Sequence, residues 1–193
     1  MFQKGNKEFL ILGLYLGDYL KKFYLREISR LSGLPLKTTY NVLETLENLR
    51  VLKSETSGKN KYFYLNLENI ETKSLLMQAE IQKTMDFMKK YPIFQSFVKE
   101  LKSISSPIII FGSFARFSAD RNSDVDMLVV SDKKIELPSH LLPHKIHEIN
   151  ITEDNFIKAF KEGETIIEKI KENHIILNNH SFFLNLMWNK YAR

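Results

Sequence analysis

Pro107-Ile108-Ile109-Ile110-Phe111-Gly112-Ser113-Phe114-Ala115-Arg116, followed after seven residues by Asp124-Val125-Asp126-Met127-Leu128-Val129-Val130, decides the fold of this chain. The runs 107–111 and 127–130 are short, β-branched and apolar, which predicts two buried strands. Gly112 and Ser113 then stand where a strand ends and a helix begins. Backbone N–H groups at a helix start favour a phosphate, and glycine permits close approach to the backbone. A plain strand-to-helix turn would need the same glycine. Asp124 and Asp126 are two residues apart at the opening of a strand, so both carboxylates share a face. Neighbouring carboxylates repel, and a cation is the usual reason to pair them. A phosphate cradle beside a metal-binding pair is the equipment of phosphoryl or nucleotidyl transfer.

The stretch Gly112-Ser113-Phe114-Ala115-Arg116-Phe117, five residues, then Ser123-Asp124-Val125-Asp126 resembles the motif of polymerase-β-like nucleotidyltransferases, particularly the small minimal members of prokaryotes. That pattern is Gly-Ser-x-Ala-Arg-Gly, five variable residues, Ser-Asp-x-Asp. Phe117 stands where the family has glycine. The resemblance covers roughly the second half of the chain. It implies NTP, most often ATP, as substrate and two Mg²⁺ ions at Asp124 and Asp126. Gly112, Ser113 and Arg116 would bind nucleotide phosphates, with Arg116 equally suited to pairing with an acid. It also implies a third carboxylate, as metal ligand or base, from the next core strand. Glu148, in the strand-like run Lys145–Ile151, is the candidate for catalysis and metal binding. Alternation puts Ile146, Glu148 and Asn150 on one face and His147, Ile149 and Ile151 on the other; the sequence leaves open which face meets the site. Glu153 and Asp154 are rivals, although acids in a first helical turn explain both. His140, His144 and His147 suggest zinc by spacing alone and read as loop histidines.

The rest of the sequence sets bounds. The chain has 193 residues, room for one large domain or two small ones, with 44% hydrophobic and 26% charged residues. It has no cysteine, which excludes disulfides and cysteine-ligated zinc and suits the cytoplasm. No apolar run is long enough for a membrane span, and no export signal is evident. The net charge is +5, and the basic excess is in the first third: residues 1–68 carry 11 Lys and Arg against 7 Asp and Glu. A local positive field suits a polyanion partner.

In that third, apolar residues from Phe9 to Leu20 predict a helix over about Lys7–Leu20. Ile28 and Leu31 mark a second helix stopped at Gly33. A third spans about Leu36–Arg50, with Tyr40, Val42, Leu43, Leu46 and Leu49 as its apolar side. Two strand-like runs, 51–55 and 61–65, flank a Ser-Gly-Lys-Asn turn. This order resembles the winged helix-turn-helix regulators. The resemblance implies double-stranded DNA as partner, with Lys37, Thr38 and Asn41 toward the major groove and Lys59 and Lys61 on the wing. A structural or dimerisation module without nucleic acid is the plainer alternative. The broad apolar face of the first helix suggests a homodimer.

The expected architecture is therefore α+β: a winged helix-turn-helix over 1–68, a helical connector over 69–104, and an α/β nucleotidyltransferase domain with a small mixed sheet and C-terminal helices over 105–193. The expected function is a DNA-binding transferase that moves a nucleoside monophosphate from NTP to an acceptor and releases pyrophosphate. A protein hydroxyl is one such acceptor, since some minimal members modify a partner toxin. The alternative is a regulator whose transferase domain is inactive and serves as nucleotide sensor or oligomerisation module.

Overall fold

A computed structural model describes residues 6–192, the side chain of Asn6 excepted. The chain divides into two compact units, one of residues 1–82 with 187–193 and one of residues 83–186. The division falls within the stretch expected as a helical connector over 69–104, and residues 187–193 group with the first unit.

In the first unit, α1 (Asn6–Leu12) passes into a 3₁₀ turn at Gly13–Tyr15. The apolar pattern continues beyond Gly13, but the α-helix does not, which corrects the expected helix to Leu20. Glycine weakens a helix interior by about 1 kcal/mol. The residues past the break still fill the core: Tyr15, Leu16 and Tyr19 are buried, as are Ile11 and Leu12. Tyr15 donates its hydroxyl proton to the Phe63 carbonyl at 3.0 Å. A two-residue strand, β1 (Phe23–Tyr24), leads into α2 (Leu25–Ser32) and α3 (Leu36–Asn48). Gly33 ends α2 with φ 70°, the left-handed stop that glycine adopts without strain. β2 (Leu52–Ser57) and β3 (Asn60–Leu65) form a hairpin whose tip, Gly58 (φ 59°) and Lys59, matches a tight two-residue turn. β1 adds to β3, giving an antiparallel sheet of order β1-β3-β2.

α4 (Ile70–Lys90) follows; Asn69 Oδ1 accepts the Glu71 N–H at its start. In the second unit α5 (Phe94–Glu100) precedes β4 (Ile108–Phe111), a one-turn helix α6 (Gly112–Ala115), β5 (Val125–Val130), β6 (Ile146–Ile151), α7 (Glu153–Glu162), α8 (Thr165–Glu172) and β7 (Ile175–Asn178); α9 (His180–Tyr191) begins in it and its residues from Met187 on group with the first unit. Thr152 caps α7 through the Asn155 N–H, and Gly163 ends it at φ 71°. The sheet order is β6-β5-β4-β7. β5 runs parallel to β6 and antiparallel to β4, and β7 pairs antiparallel with β4. The sheet is therefore mixed, as expected. Its β5-to-β6 crossover contains only a 3₁₀ turn, Ser139–Leu141. One face packs Ile108, Ile110, Val125, Met127 and Val129 against Phe87, Phe94, Phe97 and Phe114. Removing one such phenylalanine to alanine costs about 3–5 kcal/mol, so this layer fixes the platform on which the motif stands. Among the described residues no helix is long and apolar enough to cross a membrane.

Candidate active site

The site grows from the end of β4. Phe111 pairs with Asp126 across the antiparallel ladder, which brings the Gly-Ser turn against the opening of β5. Gly112 has φ +71°, a left-handed conformation that L side chains resist. A Cβ there would lie 2.1 Å from Asp126 Oδ2. The missing side chain thus makes room for a carboxylate of the site itself, not only for an incoming phosphate. Ser113 lies in the first turn of α6; its carbonyl accepts from the backbone N–H and hydroxyl of Ser118. Arg116 closes α6 and is exposed. Among the described residues its guanidinium has no carboxylate partner, which leaves it available to an anion.

Phe117, at the family's glycine position, has φ 58°. That backbone conformation is what glycine supplies without strain. Here an aromatic residue adopts it and is held by packing. Its ring meets Phe87 edge-on with centroids 6.2 Å apart, and Lys90 lies 5.7 Å from the ring centroid and donates to the Phe117 carbonyl. Downstream, Asp120 accepts from the Asn122 N–H and the Ser123 hydroxyl, and these bonds hold its carboxyl below the usual range. The loop is thereby folded back on itself just ahead of Asp124.

Asp124 and Asp126 share a face, as the alternation predicts, and are partly exposed, with 44% and 34% of their side-chain surface accessible. The parallel register then identifies their neighbour. Asp126 pairs with His147, and Met127 with Glu148. His147 Nε2 lies 3.4 Å from Asp124 Oδ2 and its Nδ1 3.7 Å from Asp126 Oδ1. Glu148 is on the opposite face, where its Oε1 accepts from Asn150 Nδ2 at 2.7 Å. The expectation that Glu148 joins the pair is therefore corrected: a strand's side chains alternate, and this register turns Glu148 away. Glu153 and Asp154 are exposed in the first turn of α7. The three histidines do not gather. His140 is exposed in its 3₁₀ turn, and His144 hydrogen-bonds the Ser123 carbonyl at 2.9 Å and stacks edge-on against Phe114. Alternation already put His147 on the face opposite Glu148; which of the two faces meets the aspartates is a pairing property that register alone settles.

Among the described residues no three His, Asp or Glu side chains already converge as a metal cage. A magnesium ion does not require one. It is commonly held by one or two carboxylates with substrate phosphates and water completing its shell. Asp124 and Asp126, on one face and open to solvent, fit that donor set. A cavity of about 410 Å³ lies nearby, lined by Tyr91, Phe114, Arg121 and His144 among others, but not by the two aspartates.

In the first unit, α3 exposes Lys37, Tyr40, Asn41 and Glu44 along one side, while Thr38 is half-buried. Tyr40, expected inside, is 52% exposed. Lys37 and Lys59 have no ion-pair partner among the described residues. Lys61 does: its Nζ is 2.8 Å from Glu47 Oε2.

Residues 92–177 match the family model of the nucleotidyltransferase domain. The match spans β4 through β7 and contains the Gly-Ser turn, both aspartates and His147. No curated protein matches the chain. Among solved structures the chain is similar to TrmBL2, described as an archaeal chromatin protein with a novel mode of DNA binding. The identity is 10%, the cover 98% of this chain and 93% of that one, and the TM-score 0.28. A likeness of that strength carries no argument.

Proposed function

We propose that the second unit transfers a nucleoside monophosphate from an NTP to an acceptor hydroxyl. The observation that carries this reading is the aspartate pair at the opening of β5, with Asp126 seated against Gly112 of the Gly-Ser turn. The match of residues 92–177 to the nucleotidyltransferase domain supports it. In the reaction the acceptor oxygen bonds to the α-phosphorus, the α–β bridging P–O bond breaks, and pyrophosphate leaves; the hydroxyl proton passes to solvent. Asp124 and Asp126 hold the NTP's divalent ion, Mg²⁺ being the family's usual one. Bound there, the ion supplies charge neutralisation for the phosphates. The α6 turn at Gly112 and Ser113 receives phosphate oxygens through backbone N–H groups, and Arg116 neutralises the leaving group's charge. ATP is the nucleotide to test first. Incubation with α-labelled ATP, Mg²⁺ and cell extract should mark an acceptor, a protein hydroxyl among the candidates, and Asp126→Ala should abolish the mark.

The first unit, in this proposal, is a winged helix that binds double-stranded DNA. The order α2, tight turn, α3, hairpin supports it, as does the unpaired state of Lys37 and Lys59. Thr38 and Asn41 join Lys37 on the α3 side. Lys61 braces the hairpin against α3 through Glu47. A homodimer would present two such units to a palindrome. Most of the apolar face that suggested it is buried, leaving Leu10 and Leu20 exposed. Sedimentation of the purified chain decides it.

A second reading has its own observation: His147, not a carboxylate, faces the aspartate pair. In that reading the second unit binds nucleotide without transfer and tunes DNA binding as a sensor. Wild type that marks no acceptor, yet changes DNA affinity when ATP is added, would establish it over the first.

A further inference from the structure

We propose that the open edge of β6 docks the acceptor as an extended polypeptide strand, with a basic residue opposite Glu148 and the reacting hydroxyl on the neighbouring residue, on the aspartate side of the sheet. This rests on the transferase reading of Asp124 and Asp126.

The mixed sheet has two edges, and they differ. β7 is buried, and its pairing with β4 shifts register between Ile108 and Ile109. β6 pairs with β5 along its whole length without a shift, contains no proline, and exposes His147, Glu148, Ile149 and Asn150. Bulges, prolines and cover are the usual protections of an edge, and among the described residues β6 has none of them. A strand's N–H and C=O groups point alternately to its two sides. The Val125 N–H donates to the Lys145 carbonyl at 2.8 Å and the Ser131 N–H to the Ile151 carbonyl at 2.9 Å, so the odd-numbered residues face β5. The backbone groups of Ile146, Glu148 and Asn150 therefore point outward, and among the described residues they have no backbone partner. Such an edge is a template for an added strand, which takes its affinity from main-chain bonds and its specificity from alternate side chains.

The same alternation orients that strand's side chains. Asp126, His147 and a residue added opposite His147 form one row across the sheet, so all three side chains leave on one face. Strands are about 4.8 Å apart, so the Cα of the added residue is roughly 9–10 Å from that of Asp126. Two side chains reaching into a gap of that width leave room for a phosphoryl group. The hydroxyl there carries out the transfer given above: its oxygen bonds to the α-phosphorus, pyrophosphate leaves and the proton passes to solvent. The next residue faces the other way, beside Glu148, whose carboxylate has no cation partner among the described residues. Opposite charges on opposed residues favour pairing, and like charges oppose it. That counts against a second copy as occupant, since the register that uses all three outward residues sets the two Glu148 carboxylates against each other. The strand's six residues, about 20 Å of edge, also fall short of the roughly 1,200 Å² that a stable interface buries, and suit a substrate that must leave.

The test uses the full chain and a soluble peptide of alternating threonine and glutamine, with one central glutamine replaced by lysine. Amide hydrogen exchange is followed by NMR. In the free chain the amides of Ile146, Glu148 and Asn150 should exchange about tenfold faster, or more, than those of His147 and Ile149. Saturating peptide should slow them about fivefold or more, and a peptide with glutamate in place of the lysine should do so less. Glu148→Pro removes an outward N–H and spares the bonds to β5, so circular dichroism should be unchanged while the peptide no longer protects Ile146 or Asn150. Should proline unfold the sheet, Glu148→Lys serves, and it should invert the preference toward the glutamate peptide. With α-labelled ATP and Mg²⁺ the wild type should mark the peptide's threonine, and Glu148→Pro should mark it about tenfold less at unchanged ATP affinity. Outward amides protected without peptide in a chain that sediments as a dimer, or a lysine preference kept by Glu148→Lys, would overturn the proposal. If the wild type marks a protein in cell extract and Glu148→Pro marks it equally, the inference fails and the transferase reading stands. If the wild type marks nothing in extract although the peptide protects the edge, the transferase reading fails and takes the acceptor assignment with it.

Discussion

A methyl group added at Gly112 would meet Asp126 head-on: the new Cβ lies 2.1 Å from Oδ2, 3.1 Å from Cγ and 3.4 Å from Cβ of that residue. Ordinary contact begins near 3.4 Å, so the carboxylate oxygen must withdraw by more than about 1 Å. Turning an aspartate off its preferred rotamer costs about 0.5–1.5 kcal/mol. The backbone at φ +71° adds about 1–2 kcal/mol for any L side chain. Gly112→Ala should therefore destabilise by about 1.5–3.5 kcal/mol in urea denaturation followed by circular dichroism. Gly13→Ala is the control, since its Cβ meets nothing within 4 Å and its φ is not left-handed. That change should be neutral or stabilising within about 1 kcal/mol. The two terms at Gly112 separate in a double-mutant cycle with Asp126→Ala. Without the carboxylate only the 3.4 Å contact with Cβ remains, so the rotamer cost vanishes and the backbone cost stays. The cycle should show a coupling of about 0.5–1.5 kcal/mol in favour of the double variant. Strict additivity, or a Gly112→Ala protein as stable as wild type, would refute the claim that this glycine exists to seat Asp126. Under the transferase reading, a carboxylate displaced by about 1 Å should also lower acceptor labelling by roughly two orders of magnitude.

Three further outcomes follow from the geometry. Phe117→Gly relieves a left-handed backbone but loses the ring's packing on Phe87, whereas Phe117→Ala loses the ring and keeps the strain. The glycine variant should be the more stable of the two by about 1 kcal/mol in the same urea assay. Burial raises the Tyr15 and Tyr19 hydroxyls above the ordinary tyrosine range, with Glu27 and Glu80 adding to it respectively. The neutral phenols are thus favoured in the folded state. Their stabilisation is complete below a pH of about 10 and is lost as pH rises past it, because the unfolded phenols ionise first. Urea midpoints between pH 8 and 11 should fall accordingly, and less so in the Tyr15→Phe, Tyr19→Phe double variant. At neutral pH Tyr15→Phe should cost about 1–2 kcal/mol through the lost hydrogen bond to the Phe63 carbonyl. Tyr19→Phe should cost little, since that hydroxyl has no hydrogen-bond partner among the described residues. Under the DNA-binding reading, Lys37→Ala and Lys59→Ala should each reduce the slope of log affinity against log salt by about one, and Lys61→Ala by less.

The motif was legible because its signals are local. Strand propensity, a Gly-Ser turn and an i, i+2 aspartate pair each act within a few residues, and the structure forms β4, α6 and β5 in that order. The α2 stop at Gly33 was legible for the same reason. Three features were not. The first helix reads as continuous because its apolar period runs on through Gly13, yet Tyr15, Leu16 and Tyr19 are buried from a 3₁₀ turn at Gly13–Tyr15 and the turns that follow it. Tyr40 has the spacing of a core residue, and which helical flank faces the core is settled by neighbours rather than by spacing. The partner of the aspartates depends on register between β5 and β6. Both faces of β6 are largely exposed, so no hydrophobic alternation betrays which side is which.

Glu47 joins three elements of the first unit with one carboxylate. Oε1 accepts from the Ser54 hydroxyl at 2.6 Å, and Oε2 meets Lys61 at 2.8 Å, so α3, β2 and β3 share a single anchor. The hairpin is thereby held to the helix before any ligand arrives. Ordering two independent arms on a partner would cost affinity for every rotamer and loop frozen at contact. Here helix and hairpin are already joined in the folded unit, so under the DNA-binding reading they would not be ordered separately at contact.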